Sequence, residues 1–227
     1  MKNLPLISGI LIMLAMYACK SEVLEAPDSG QAYFKIDQGS YIAYDVDSIV
    51  IDIPSGIQDT FVFQIKEYID SAFFDLEGRP TARIHRSYRD QAADPWILKK
   101  VWTANRGVTK AEKVEENVRF VKMVFPVTAD IEWDGNAQNT FNAWNYSYQE
   151  IDAPRNIGSL AFQRTVTVDQ RDLSNLIEKE FAQEIYAYDV GMVYKQLDTL
   201  KYSLSGGVQT LLIGVKFKMT AFEYGHE

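Results

Sequence analysis

Glu184-Ile185-Tyr186-Ala187-Tyr188-Asp189-Val190-Gly191-Met192-Val193-Tyr194-Lys195 is the stretch whose reading decides the fold. Asp189-Val190-Gly191 carries turn chemistry, and Gly191 tolerates the positive φ that a tight bend requires. Met192 and Tyr194 then resume a period of two, which is the period of a strand. Residues 175–200 are thus equally compatible with one long hairpin around this turn. A competing reading places a helix over Asp172–Ala182, where Leu173, Leu176, Ile177 and Phe181 recur near helical spacing behind a capping Asp172. Thr109–Asn117, rich in Glu, Lys and Ala, is a second helix candidate.

Outward from this hairpin, alternation dominates. Tyr33–Ile36 and Tyr41–Val46 flank the turn Asp37-Gln38-Gly39, and Ser48–Ile53 runs up to the breaker Pro54-Ser55-Gly56. Further strands are read at Phe61–Tyr68, Thr81–Arg89, Trp96–Thr103, Arg119–Phe125, Trp144–Tyr148 and Ser159–Val168. Ten to twelve strands and one to three short helices imply a mainly β fold, built as one large curved antiparallel sheet or an open barrel. No fixed-length repeat or low-complexity linker divides the chain. The expected organisation is a signal peptide over 1–18, a lipidated tether over 19–31 and a single β-rich domain over 32–227.

The 227 residues carry 23 Lys and Arg against 31 Asp and Glu, a formal net charge of −8 that disfavours nucleic acid as a partner. The charge is uneven. Residues 79–122 hold eleven Lys and Arg against five acids. Arg79, Arg83, Arg86, Arg89, Lys99 and Lys100 are thus candidates for a face that meets an anionic partner, and cross-strand pairing with acids elsewhere is the other explanation. Thirteen Tyr, twelve Phe and four Trp suit either a sheet core or a pocket for a lipid or glycan.

Reactive chemistry is sparse. Of the two histidines, His85 lies among positive charges in Arg83-Ile84-His85-Arg86, which disfavour metal capture, and His226 stands beside the C-terminus. Asp130-Ile131-Glu132-Trp133-Asp134-Gly135 resembles the opening of an EF-hand loop. Phe141, however, occupies the twelfth position, where a bidentate Glu should stand. The chain has no nucleophile elbow, P-loop or zinc-protease motif. No cofactor, metal or catalytic residue is therefore expected.

The single cysteine stands behind an apolar run. Lys2 is followed by the apolar stretch Leu4–Met16, too short to span a bilayer, and then by Tyr17-Ala18-Cys19. Leu14-Ala15-Met16-Tyr17-Ala18-Cys19 resembles a bacterial lipobox, although Met16 and Tyr17 stand where that motif favours Leu and a small residue. The resemblance implies cleavage before Cys19, a diacylglycerol on its thiol and an acyl chain on its new amine, which together anchor firmly. A buried cysteine in an uncleaved chain is the alternative. Glu22 and Glu25 behind Cys19-Lys20 are similar to the acidic export signals of surface lipoproteins in the phylum Bacteroidota.

The opening hairpin also resembles a late "Y-A-x-x-V-G-x-V" segment of bacterial envelope proteins whose sheet wraps a helix or apolar cavity, broadly similar to the LolA-type lipoprotein carriers. With 96–103, 116–126, 133–139 and 175–184 it is similar to a group of Bacteroidota lipoproteins without an established activity. Asp47-Ser48-Ile49, Asp70-Ser71-Ala72 and Asp198-Thr199-Leu200 resemble the O-glycosylation motif of that phylum, making Ser48, Ser71 and Thr199 candidate sites. The resemblances imply an outer-membrane, lipid-anchored envelope protein facing the periplasm or the cell surface. Three roles follow as expectations: an accessory subunit of an assembly, transport or secretion complex, a carrier of an apolar or lipid ligand, or a glycan hydrolase.

Overall fold

A computed structural model describes residues 27–227. After one 3-10 turn, η1 (Gln31–Tyr33), twelve strands follow. They are β1 (Ser40–Asp52), β2 (Ile57–Phe74), β3 (Pro80–Arg89), β4 (Ile97–Arg106), β5 (Lys110–Glu115), β6 (Val118–Val124), β7 (Glu132–Asp134), β8 (Asn145–Ile157), β9 (Leu160–Ser174), β10 (Glu178–Ala187), β11 (Gly191–Ser205) and β12 (Val208–His226). All belong to one antiparallel sheet in the order β6-β5-β4-β3-β2-β1-β12-β11-β10-β9-β8-β7. Neighbours in the sheet are neighbours in sequence, except that β1 zips onto β12 along its whole length. The expected curved, mainly β architecture is what the chain adopts.

The two free edges, β6 and β7, meet along a seam. Val121 N donates to Gly135 O at 2.9 Å, and the Trp133 indole donates back to Val121 O at 3.0 Å. The Tyr148 hydroxyl accepts from Val124 N at 2.9 Å and donates to Val124 O at 2.6 Å. Stitches of this kind substitute for a ladder and blunt both edges. The result is a nearly closed barrel.

One end is stoppered from within. Tyr33 and Phe34 are buried against Ile69, Ile84, Met123 and Tyr186, and Asp189 N donates to Ala32 O in the β10–β11 turn. Gly30 makes this entry with φ 78°, and a Cβ there would stand 2.6 Å from the Val127 side chain, so a side chain is excluded twice. Residues 28–31, assigned to the tether by sequence, are docked on the barrel: Asp28 pairs with Arg164 at 2.9 Å, and Ser29 O accepts from Val127 N at 3.0 Å. The β8–β9 hairpin bends, with Glu150 and Asp152 at positive φ, and its tip folds over β12, where the Phe162 and Tyr224 rings lie 5.6 Å apart. No helix among the described residues is long and apolar enough to cross a membrane.

Both helix candidates are strands. Thr109–Asn117 forms β5 and its turn, because Ala111 and Lys113 alternate inward against Met123 and Ala104, and Glu116 and Asn117 make the positive-φ bend. Asp172–Ala182 is the β9–β10 hairpin. The Asn175 carboxamide oxygen accepts from the amides of Ile177 and Glu178, holding the turn. Leu176 and Ile177 sit exposed at the tip, 64% and 58% open, so their helical spacing has no helix face behind it. In both segments sheet hydrogen bonds to neighbours override local propensity. The segments 41–46 and 48–53 form the one strand β1.

Candidate functional site

Inward-facing rows should be apolar, yet several carry charge. Glu67 interrupts the row of Ile65 and Ile69, and Glu184 interrupts that of Ala182 and Tyr186. Lys122 arrives differently. At the β5–β6 bulge Ala111 opposes Met123 and Glu112 opposes Val121, so Lys122 is the extra residue, and it lines the lumen on the same side as Phe120.

Closing the barrel brings these groups together as a belt. Lys122 Nζ lies 2.9 Å from Glu184 and 3.0 Å from Glu115, and Lys195 Nζ lies 2.9 Å and 3.6 Å from the same two carboxylates. Beside them Glu67 takes Lys113 at 2.8 Å and Arg86 at 3.1 Å, and Arg86 stacks on Trp102 at 4.1 Å. Burial by itself would raise the carboxyls of Glu67, Glu115 and Glu184. The adjacent ammonium and guanidinium groups outweigh it and hold all three below the ordinary carboxylate range. Lys122 is the mirror case: burial pulls it down, and Glu115 and Glu184 push it well up. The Tyr186 hydroxyl donates to Glu184 at 2.7 Å.

The belt divides the lumen. On the stoppered side a small, partly open space runs under Phe34 and Ile36 to Gly191. On the other side the lumen opens into a cavity of about 650 Å³. Its floor is Glu115, Lys122 and Lys195, and Phe120, Trp144 and Tyr146 are among its walls. Gln170 also lines it, 5% exposed, with its Nε2 lacking any hydrogen-bond partner. It too is a bulge residue, lying between the Asp169–Gln183 and Arg171–Ala182 pairs. A buried amide nitrogen left without a partner costs about 1–3 kcal/mol. A second lobe of about 260 Å³ adjoins, with Trp102, Leu197, Phe217 and Met219 on its walls.

The residues singled out in the sequence are distributed as follows. Cys19 lies outside the described residues. Arg86 points inward and Lys100 lies beside it, bound to Glu116 at 2.6 Å. Arg83 stands on the opposite face over Phe73, and Arg89 bonds Gln64 at 2.6 Å and stacks on Trp96. Arg79 joins Asp75, Glu77 and Glu112 near the β2–β3 turn, and Lys99 is exposed. The six thus lie on both faces of the sheet. Ser48, Ser71 and Thr199 all sit half-buried within strands. His85 Nδ1 is 3.5 Å from Asp70.

The EF-hand-like segment is part of the seam. The Asp134 carboxylate accepts from the amides of Asn136 and Trp144 at 2.9 and 3.0 Å, and Gly135 lies flat against the Tyr146 ring. Among the described residues no cluster of three or more His, Cys, Asp or Glu is close enough to hold a metal ion.

Sequence reading missed the belt and Gln170. The signal was a polar group on apolar parity, legible at Glu67 and Glu184, at Lys122 two residues after Phe120, and at Gln170 two residues after Val168. No protein-family model and no curated protein sequence matches this chain. Among the described residues, fold and site together define a twelve-stranded, nearly closed antiparallel barrel with a charged belt and an open luminal cavity, an architecture compatible with a binding or carrier domain.

Proposed function

We propose that this is a lipid-anchored cell-envelope protein, acylated at Cys19, whose barrel binds a small ligand in the open luminal cavity without transforming it. The observation that carries the reading is the open cavity of about 650 Å³, with Phe120, Trp144 and Tyr146 among its walls, a size within the range of small-molecule sites. Catalysis of glycan hydrolysis is disfavoured by the charge states. Glu115 and Glu184 are both held ionised by Lys122 and Lys195, whereas that chemistry needs one carboxyl kept protonated as the acid.

Native mass spectrometry of the full chain, purified from membranes, tests the binding reading. It is expected to show a releasable small molecule besides the acyl mass. Leu197→Trp, which puts a larger side chain into the cavity lining, should lose it. A wild-type protein that carries no such molecule, and is not stabilised by extracts of its host envelope, would refute the proposal.

A specific observation also supports a docking role in an envelope complex. The β1–β2 and β11–β12 hairpins carry exposed Phe61, Val62, Val208 and Ile213 towards the open end, with Val62 66% and Val208 65% exposed, and exposed apolar surface of this kind suits protein contact. Cross-linking from Val62→Cys in intact envelopes is expected to capture a partner, and its absence would leave ligand binding as the sole role.

A further inference from the structure

We infer that the lobe beside the open cavity takes the head group of an anionic amphiphile, a long-chain carboxylate, whose apolar body lies along the inner face of β11, β12, β1 and β2. The inference rests on the luminal binding reading above and adds the ligand class. Charge points to it first. Lys122 and Lys195 are balanced by Glu115 and Glu184, and Lys100 by Glu116. Arg86 and Lys113, by contrast, share one carboxylate, Glu67, at 3.1 and 2.8 Å. The lining of the lobe and the belt beside it thus holds one cation in excess, in a chain whose formal net charge is −8.

Arg86 is the member left short of partners. Its side chain is 9% exposed and lines the lobe. Nε donates to Glu67 and Nη1 to the Tyr88 hydroxyl at 2.7 Å, but Nη2 has only the Met219 sulfur, at 3.5 Å, and Met219 lines the same lobe. A thioether is a weak acceptor, and a buried cation without full pairing is costly. A carboxylate supplies both the missing charge and the geometry a guanidinium fork prefers. Apolar surface supplies the second part. Trp102, Met192, Leu197, Phe217 and Met219 line the lobe with these charges. Paired residues share a face of the sheet, so the row Leu197, Phe217, Ser48, Phe61 continues this surface across four strands, with Val215 and Val50 in the next row. Phe61 and Val215 are 50% and 37% exposed. Phe61 stands six positions before Glu67 on β2, about 20 Å along the strand. A hydrated inorganic anion would gain nothing from such walls, and a neutral lipid would leave Arg86 unmet.

Isothermal titration of the full chain in phosphatidylcholine nanodiscs, with empty nanodiscs as the blank, uses octanoate, octanamide and acetate. Octanoate is expected to bind saturably and about tenfold or more tightly than either of the others. Arg86→Met leaves Lys113 and Glu67 as a balanced pair, and should abolish the preference for octanoate while octanamide binding persists. Should that variant not fold, the wild-type preference still decides. Octanamide binding as tightly as octanoate, with both lost in Leu197→Trp, overturns the anionic assignment and leaves the luminal reading standing. A preference retained in folded Arg86→Met, or acetate matching octanoate, also overturns it. Absence of octanoate binding overturns it as well, and the native mass spectrum then decides the luminal reading separately.

Discussion

Replacing Lys122 by Met tests whether the belt is a closed electrostatic unit. Lys122 is 3% exposed and touches Glu115 and Glu184 at 3.0 and 2.9 Å. Methionine keeps the length and most of the volume, so packing changes little. What changes is charge: two buried carboxylates are left with Lys195, 2.9 Å from one and 3.6 Å from the other. Breaking a buried set by removing one partner costs about 3–5 kcal/mol. At about 2.1 cal/mol/K of unfolding entropy per residue over roughly 200 residues, that lowers the melting temperature by about 7–12 °C. Adding Glu115→Gln removes the excess negative charge and should recover about half or more of the loss, because the remaining Lys195–Glu184 pair is balanced. Urea denaturation of wild type, single and double variants at pH 7 provides the comparison. A loss below about 1 kcal/mol for Lys122→Met, or equal losses for single and double variants, refutes the reasoning.

Other expectations follow from the same structure. Glu67, Glu115 and Glu184 have folded values below the ordinary 4.5, so the stability they contribute is complete above that pH and is lost as the pH falls below it. Urea midpoints should be flat from pH 6 to 8 and decline steeply under 4.5. Burial raises the phenols of Tyr44 and Tyr186 well above 10, so a second decline should begin as the pH rises past 10 and their unfolded counterparts ionise. Gly135→Ala would set a Cβ 2.1 Å from the Tyr146 ring; a loss of about 1–3 kcal/mol, with faster hydrogen exchange at the Val121 amide, would show that this contact closes the seam. Cys19→Ser should move the protein from the membrane to the soluble fraction, and persistence on the membrane would remove the anchoring proposal.

Much of the sheet was legible because alternation is local. Tyr41 to Val46 and Glu184 to Lys195 each declare two faces within a few residues, and Gly191 sits at the bend with φ 112°. The failures are equally local. Leu173, Leu176, Ile177 and Phe181 imitate a helix because a hairpin tip exposes apolar residues on consecutive positions, and nothing nearby says that Ser174 will pair with Lys179. Thr109 to Asn117 has the composition of a helix, yet its backbone bonds go to β4 and β6. The basic segment 79–122 looked like one face, but alternation sends Arg86 into the lumen and Arg83 to the outside.

The amino-acid sequence alone determined that this chain is mainly β and antiparallel, since period-two patterning and turn residues act over a few positions. Tertiary structure decided where the site lies. Lys122 and Glu184 are 62 residues apart and meet only because β1 pairs with β12 and the β6–β7 seam closes the sheet on itself. Lys122 and Gln170 each lie at a bulge and share the lumen-facing side of Phe120 and of Val166 and Val168. An ion pair or an open amide inside a barrel depends on closure, and closure is a property of the whole sheet.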